Sequence, residues 1–219
     1  MTNETMNNEP TNNEPTNNEP TNNSNEDTAS AEKFTELVNA VHHNGLVALR
    51  RYYSEVQGQV LNHEVYGPIF IYQVKDASDD GYVCGFFLRE LIEKFQSSDK
   101  PEQWMASFFV DLMKTKGGKL LPKSPETEDE AKALIDQVLI PQLLAAVKEE
   151  FPDTVHAGLD WNEEHGPVFE AGFPSIVEGN NTCAFPIHFL MMQLLLNRDP
   201  ADLILQGLYK IQEDHGLEG

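Results

Sequence analysis

The sequence predicts a mainly α-helical fold, with α+β as the second reading, on three observations. Apolar residues recur at helical spacing along most of the chain. Capping signals precede several of these stripes. The regular strand–helix alternation of a doubly wound protein is missing. The expectation is about six helices around a buried central helix, Ala184–Leu196, with room for a small β-hairpin or sheet near residues 67–87.

The chain opens on three copies of Asn-Asn-Glu-Pro-Thr, from Asn7 to Thr21. A pentapeptide without an apolar residue buries nothing to offset about 1–2 kcal/mol of backbone entropy per residue. Residues 1–29 are therefore expected to be a disordered acidic tail, and residues 30–216 a single globular domain.

Ser30 is a suitable N-cap, with Glu32 in the first turn where the helix dipole favours it. Phe34, Leu37, Val38 and Val41 keep helical spacing. Asn44-Gly45 stops or bends the helix, and Leu46, Leu49, Tyr52, Tyr53 and Val56 extend the pattern to Gly58. Gly67–Lys75 is the strongest strand signal, because Ile69–Val74 is dense in β-branched and aromatic residues. Asp76–Gly81 is turn chemistry. Tyr82–Phe87 fits either a returning strand or a helix, whereas Phe87, Leu88, Leu91, Ile92 and Phe95 are spaced as a helix.

Asp99, Pro101 and Glu102 form a capping pattern ahead of the stripe Trp104, Met105, Phe108, Phe109 and Leu112, which Gly117-Gly118 ends. Thr127 and Glu130 repeat the pattern ahead of Leu134, Ile135, Val138 and Leu139. Pro141 kinks or restarts that helix, which Leu144, Val147 and Phe151 carry to Pro152. From Pro152 to Thr182 glycine and proline punctuate the chain, leaving at most a short strand around Thr154–Trp161 and a long loop with Trp161 tucked into the core. Asp199-Pro200 caps a last helix whose inner face is Leu203, Ile204, Leu208 and Ile211.

The net charge is −21, from 15 Lys and Arg against 36 Asp and Glu. Most of that excess lies beyond the tail, so the domain itself is acidic. Such a surface disfavours nucleic acid and anionic membrane as partners and favours basic ones. No basic segment followed by an apolar run opens the chain, and the longest apolar stretch is short of the about 20 residues a spanning helix needs. Two cysteines in a domain of this size do not imply disulfides. A cytoplasmic protein is expected.

Three clusters carry candidate chemistry. His156, Asp160 and His165 are residue types that bind divalent metals, and Glu164 beside them is a candidate general base. The local glycine and proline content weighs against a helix that would align His156 with Asp160, and a polar surface loop is the plainer reading. Cys183 lies near the expected start of the central helix, where a helix dipole activates a thiol nucleophile. His188 is poorly placed to serve it, and a small buried cysteine is the plainer reading. Lys116, Lys119 and Lys123 sit on a glycine-rich loop that could hold an anion, although the P-loop spacing is absent. His42-His43 reads as helix-end histidines.

The functional expectation is a non-enzymatic interaction protein, an adaptor, inhibitor or immunity-type binder, engaging a basic or amphipathic protein without a cofactor. The alternatives are a hydrolase with a divalent metal or acid–base site in the 156–181 loop, and an enzyme using Cys183 as nucleophile.

Overall fold

The computed structural model describes residues 23–115, 117–176 and 179–216. The Asn7–Thr21 repeat and Lys116 lie outside the described residues. The elements run α1 (Asn23–Leu49), β1 (Val56–His63), β2 (Gly67–Lys75), β3 (Gly81–Phe87), α2 (Leu88–Ser97) and α3 (Pro101–Lys114). Then follow α4 (Glu128–Leu134), a π-helical segment (Ile135–Leu139), α5 (Ile140–Glu150), β4 (His156–Asn162), β5 (Gly166–Gly172), β6 (Thr182–Pro186), α6 (Ile187–Leu195) and α7 (Ala201–Asp214). The described residues contain two three-stranded antiparallel sheets, ordered β1-β2-β3 and β4-β5-β6. The mainly α expectation is therefore corrected to α+β.

Each local departure has a physical cause. α1 begins at Asn23, inside the segment read as tail, and its residues up to Leu37 form a unit of their own. The helix runs through Asn44-Gly45 without a break, because Gly45 makes room for a core side chain. A Cβ there would sit 2.2 Å from the Tyr72 hydroxyl, which donates to the His42 carbonyl at 3.3 Å. His42 is not a simple helix-end residue. Its ring stacks on Tyr72 with centroids 5.6 Å apart, and desolvation, then the neighbouring His43, lowers its pKa. α1 stops at Leu49 rather than Gly58, which belongs to β1. A Cβ on Gly58 would lie 2.9 Å from the Tyr72 ring.

Tyr82–Phe87 resolves as strand. Glu90 accepts from the Phe87 N–H at 3.3 Å and so starts α2 immediately behind it. Lys100, not Asp99, occupies the N-cap position of α3, without a side-chain cap bond, and Pro101 stands in the first turn. The Thr127 pattern forms as expected, Thr127 Oγ1 accepting from the Glu130 N–H at 3.2 Å. Pro141 restarts the helix as expected, standing in the first turn of α5. Lacking an N–H, it loosens the preceding turn into the π register, in which Ile140 N–H reaches the Ile135 carbonyl.

The two largest departures adjoin. Much of the segment read as a long loop is the β4–β5 hairpin and the start of β6. The expected central helix divides at Pro186 into the end of β6 and α6.

The architecture repeats. One constant shift along the sequence carries Gly67-Pro68-x-Phe70 onto Gly166-Pro167-x-Phe169, Cys84-x-Phe86 onto Cys183-x-Phe185, Leu91 onto Leu190 and Pro101 onto Pro200. The same shift superposes the strand registers. It even carries over the cap of the first hairpin. His63 Nδ1 accepts from the N–H groups of Val65 and Tyr66 at 3.1 and 3.4 Å. Asn162 Oδ1 accepts from those of Glu164 and His165 at 2.9 and 3.0 Å. Gly67 and Gly166 close the two turns with φ of 67° and 70°, the left-handed region that glycine adopts freely.

Each half has its own core. In the first, Phe70, Tyr72 and Phe86 pack with Leu49, Leu91, Met105 and Phe109. In the second, Phe169 and Ala171 pack with Leu143, Leu190, Ile204 and Leu208. Burying one such large side chain contributes about 1.5–3 kcal/mol before entropy is counted.

A third cluster joins the halves. Ile69, Ile71, Val83 and Phe87, on the outer face of the first sheet, pack under Leu196 with Phe189 and Met192. The free edge of β3 is closed at the same place. Val83 N–H donates to Gly118 O at 3.3 Å, and Gly85 N–H donates to Leu196 O at 3.0 Å. Asn197, held at φ 59°, donates Nδ2 to the carbonyls of Val83 and Leu120, each at 2.8 Å. Arg198 pairs with Glu90 and stacks on Phe108 at 4.4 Å.

Candidate functional site on the second sheet

The second sheet is covered only in part: on its outer face Val168 and Gly172 are buried, Glu170 is half-buried, and His156, Asp160 and Ala184 are exposed. Its outer face carries His156, Gly158 and Asp160 from β4, then Glu170 and Val168 from β5, then Thr182 and Ala184 from β6, in direct register. Ala184 occupies the position of Gly85, yet it is exposed. Among the described residues nothing outside the sheet bonds the backbone of Thr182 or Ala184.

The other face of β4 presents Ala157, Leu159 and Trp161, beside Ala171, Phe169 and Pro167. Leu159 is 55% exposed and Trp161 70% exposed, so Trp161 is not tucked into the core. Because β4 is an edge strand, the N–H and C=O groups of Ala157, Leu159 and Trp161 point away from β5. Asp160 Oδ1 accepts from the Trp161 N–H at 2.8 Å. No other backbone or side-chain hydrogen bond to the outward edge of β4 occurs among the described residues.

Charge is concentrated here as well. From Glu149 to Asn197 the chain has no Lys or Arg, while Asp160 and Glu170 lie in the strands and Glu163 and Glu164 in the turn between β4 and β5. The first half, by contrast, interleaves Arg50, Arg51, Lys75, Arg89 and Lys94 with its acids.

The candidate metal residues sit on this hairpin without converging. His156 and Asp160 share a face of β4, but four residues of strand separate them by about 13 Å. Glu164 and His165 belong to the turn, where His165 Nε2 is 3.9 Å from Glu164 Oε2. No group of three or more His, Cys, Asp or Glu side chains among the described residues could hold a metal ion.

Cys183 lies inside β6, not at a helix N-terminus. Its Sγ approaches Ile204 O at 3.8 Å, and a Cβ on Gly207 would meet it at 2.8 Å. Burial pushes the thiol up to about 11, the opposite of an activated nucleophile. His188 stands on α6 beside Tyr66, with rings 6.1 Å apart.

The described lysines of the glycine-rich loop are already paired. Lys119 binds Asp80 at 2.5 Å, and that hydrogen bond is the main cause of its raised pKa. Lys123 binds Glu126 at 3.0 Å.

Sequence reasoning missed Leu159, Trp161 and Glu170. The signal was the two-residue alternation of Leu159-Asp160-Trp161, hidden by the surrounding glycines and prolines. No described helix is long and apolar enough to cross a membrane. Compared with protein-family models, with curated proteins and with solved structures, the chain matches none.

Proposed function

We propose that this chain is a non-catalytic cytoplasmic interaction protein, an adaptor, inhibitor or immunity-type binder, whose second half engages a basic or amphipathic protein. One observation carries the reading: an exposed edge strand and its turn bear Asp160, Glu163 and Glu164, with the half-buried Glu170 on the next strand, in a stretch of chain without a single Lys or Arg. Uncompensated carboxylates on a surface attract cationic partners and speed their encounter. The two cysteines are free thiols, in keeping with a reducing compartment.

The test is affinity purification at low salt of the wild type and of the triple variant Asp160→Lys, Glu163→Lys, Glu164→Lys. All three positions are exposed, so the variant should fold. A basic protein should co-elute with the wild type and be lost from the variant. It should also be lost from the wild type as ionic strength rises to about 0.3 M, where screening shortens the reach of charge. Retention by the variant, or an acidic partner, would overturn the reading.

A further inference from the structure

We infer that the partner is bound by strand addition: an extended segment alternating basic and apolar residues pairs with the free edge of β4. This rests on the reading above and specifies how that site works.

Three observations converge on β4. The strand has one edge paired with β5 and one edge whose outward backbone groups find no backbone partner among the described residues. Exposed edges of this kind are templates for another strand, and proteins that do not use them blunt them with lysine, proline or a covering element. β4 carries none of these blunting residues. Its single protective contact is the Asp160 carboxylate on the Trp161 N–H, which a cationic side chain arriving at Asp160 would draw away.

The two faces of β4 then dictate the chemistry of the incoming strand. Side chains alternate along a strand, so every second residue of the added segment falls beside Leu159 and Trp161 and the others beside Asp160. The first set must be apolar to cover a tryptophan that is 70% exposed. The second set must be basic, because Asp160, with Glu170 on the next strand, has no Lys or Arg near it in the sequence. About five to seven residues span the strand, so the recognised segment is short.

The corresponding edge, β1, does not invite the same partner. The constant shift places Asn62 where β4 has Trp161. Lysine and arginine are also interleaved through that half, so the requirement for a basic segment falls away.

The experiment uses the full chain and two synthetic peptides. One is an acetylated heptapeptide of alternating valine and lysine. The other has the same sequence with each amide that would face β4 N-methylated. Binding is followed by the tryptophan emission, in which the half-buried Trp104 supplies a constant background to Trp161, and, for every variant, by amide protection at Ala157 and Leu159. The plain peptide should shift the emission to the blue and protect both amides. N-methylation should weaken it at least about tenfold, since backbone pairing is lost while charge and side chains are kept. Trp161→Lys, a surface change that leaves the fold intact, should weaken the plain peptide to a similar degree.

If the methylated peptide binds as well as the plain one, strand addition is wrong while the acidic docking surface stands. If neither peptide binds, even at low salt, and no basic partner co-purifies, both readings fall. Self-association of the unliganded protein that Trp161→Lys abolishes would assign the edge to a second copy and overturn the inference.

Discussion

The two halves of this domain are built on one plan and finished differently. Both run three antiparallel strands into two helices, and both cap the first hairpin through the same side-chain position, His63 or Asn162. In the first half the outer face carries the apolar patch Ile69, Ile71, Val83 and Phe87 on β2 and β3, beside the exposed Gln57, Gln59 and Gln73. That patch is covered by Leu196, and the β3 edge is bonded to Gly118 and Leu196. In the second half the equivalent face carries Glu170 and Asp160, Ala184 stands exposed, and the β4 edge displays Trp161. The first sheet spends its second face on holding the molecule together. The second sheet buries Val168 and Gly172 on that face but leaves His156, Asp160 and Ala184 in solvent. Duplication of a fold supplies two surfaces, and only one of them is needed for internal closure.

The largest expected effect comes from crowding the two equivalent positions. A Cβ on Gly85 would lie 2.4 Å from Leu196 Cδ2, so Gly85→Val should cost about 2 kcal/mol by forcing the covering segment off the sheet. Ala184→Val, at the open counterpart, should change stability by less than about 0.5 kcal/mol, since β-branching suits an exposed strand. Chemical denaturation of both variants gives the comparison. Equal losses would mean that the second sheet is also covered.

A smaller effect separates the hairpin caps. His63→Ala removes the Nδ1 acceptor of the Val65 and Tyr66 N–H groups, and Asn162→Ala removes the Oδ1 acceptor of the Glu164 and His165 N–H groups. Each lost bond is worth about 1 kcal/mol. Amide exchange should speed up at Val65 and Tyr66 in the first variant alone, and at Glu164 and His165 in the second alone. Unchanged exchange in either variant would mean that the side chain does not hold its hairpin.

Much of the fold was legible from local signals that agree with tertiary context. β2 was clear because a fully buried strand is dense in β-branched and aromatic residues. The Thr127 cap was clear because its hydrogen bond is made within one turn. The second sheet was obscure for a physical reason. Gly158, Gly166, Pro167 and Gly172 read as breakers in one dimension, yet in the fold they sit in the strands β4 and β5 of a hairpin, Gly166 closing its turn. β6 runs into α6 without a turn, so two elements read as one apolar helix. The repeat itself was written in Gly-Pro-x-Phe, Cys-x-Phe, Leu and Pro, but so few positions coincide that only the matching strand registers make it plain. On the outer faces Ile71 of the first half stands against Glu170 of the second, and Gly85 against Ala184.

The candidate site was partly legible in the same way. Asp160, His156 and Glu164 were singled out as polar groups on one segment, and the structure places them on one hairpin. Reading them as ligands assumed a compact loop, while an extended strand spreads them apart. In a polar loop the sequence places Trp161 in the core. On an edge strand beyond the cover of the helices, it faces water.

Amide hydrogen exchange of the free protein tests the central contrast most directly, through the four backbone positions that the constant shift pairs at the β3 and β6 edges. The account predicts strong protection at Val83 and Gly85, whose N–H groups are bonded to Gly118 and Leu196, and fast exchange at Thr182 and Ala184. Protection of Ala184 comparable to that of Gly85 would show that the second sheet is closed like the first, and would contradict it.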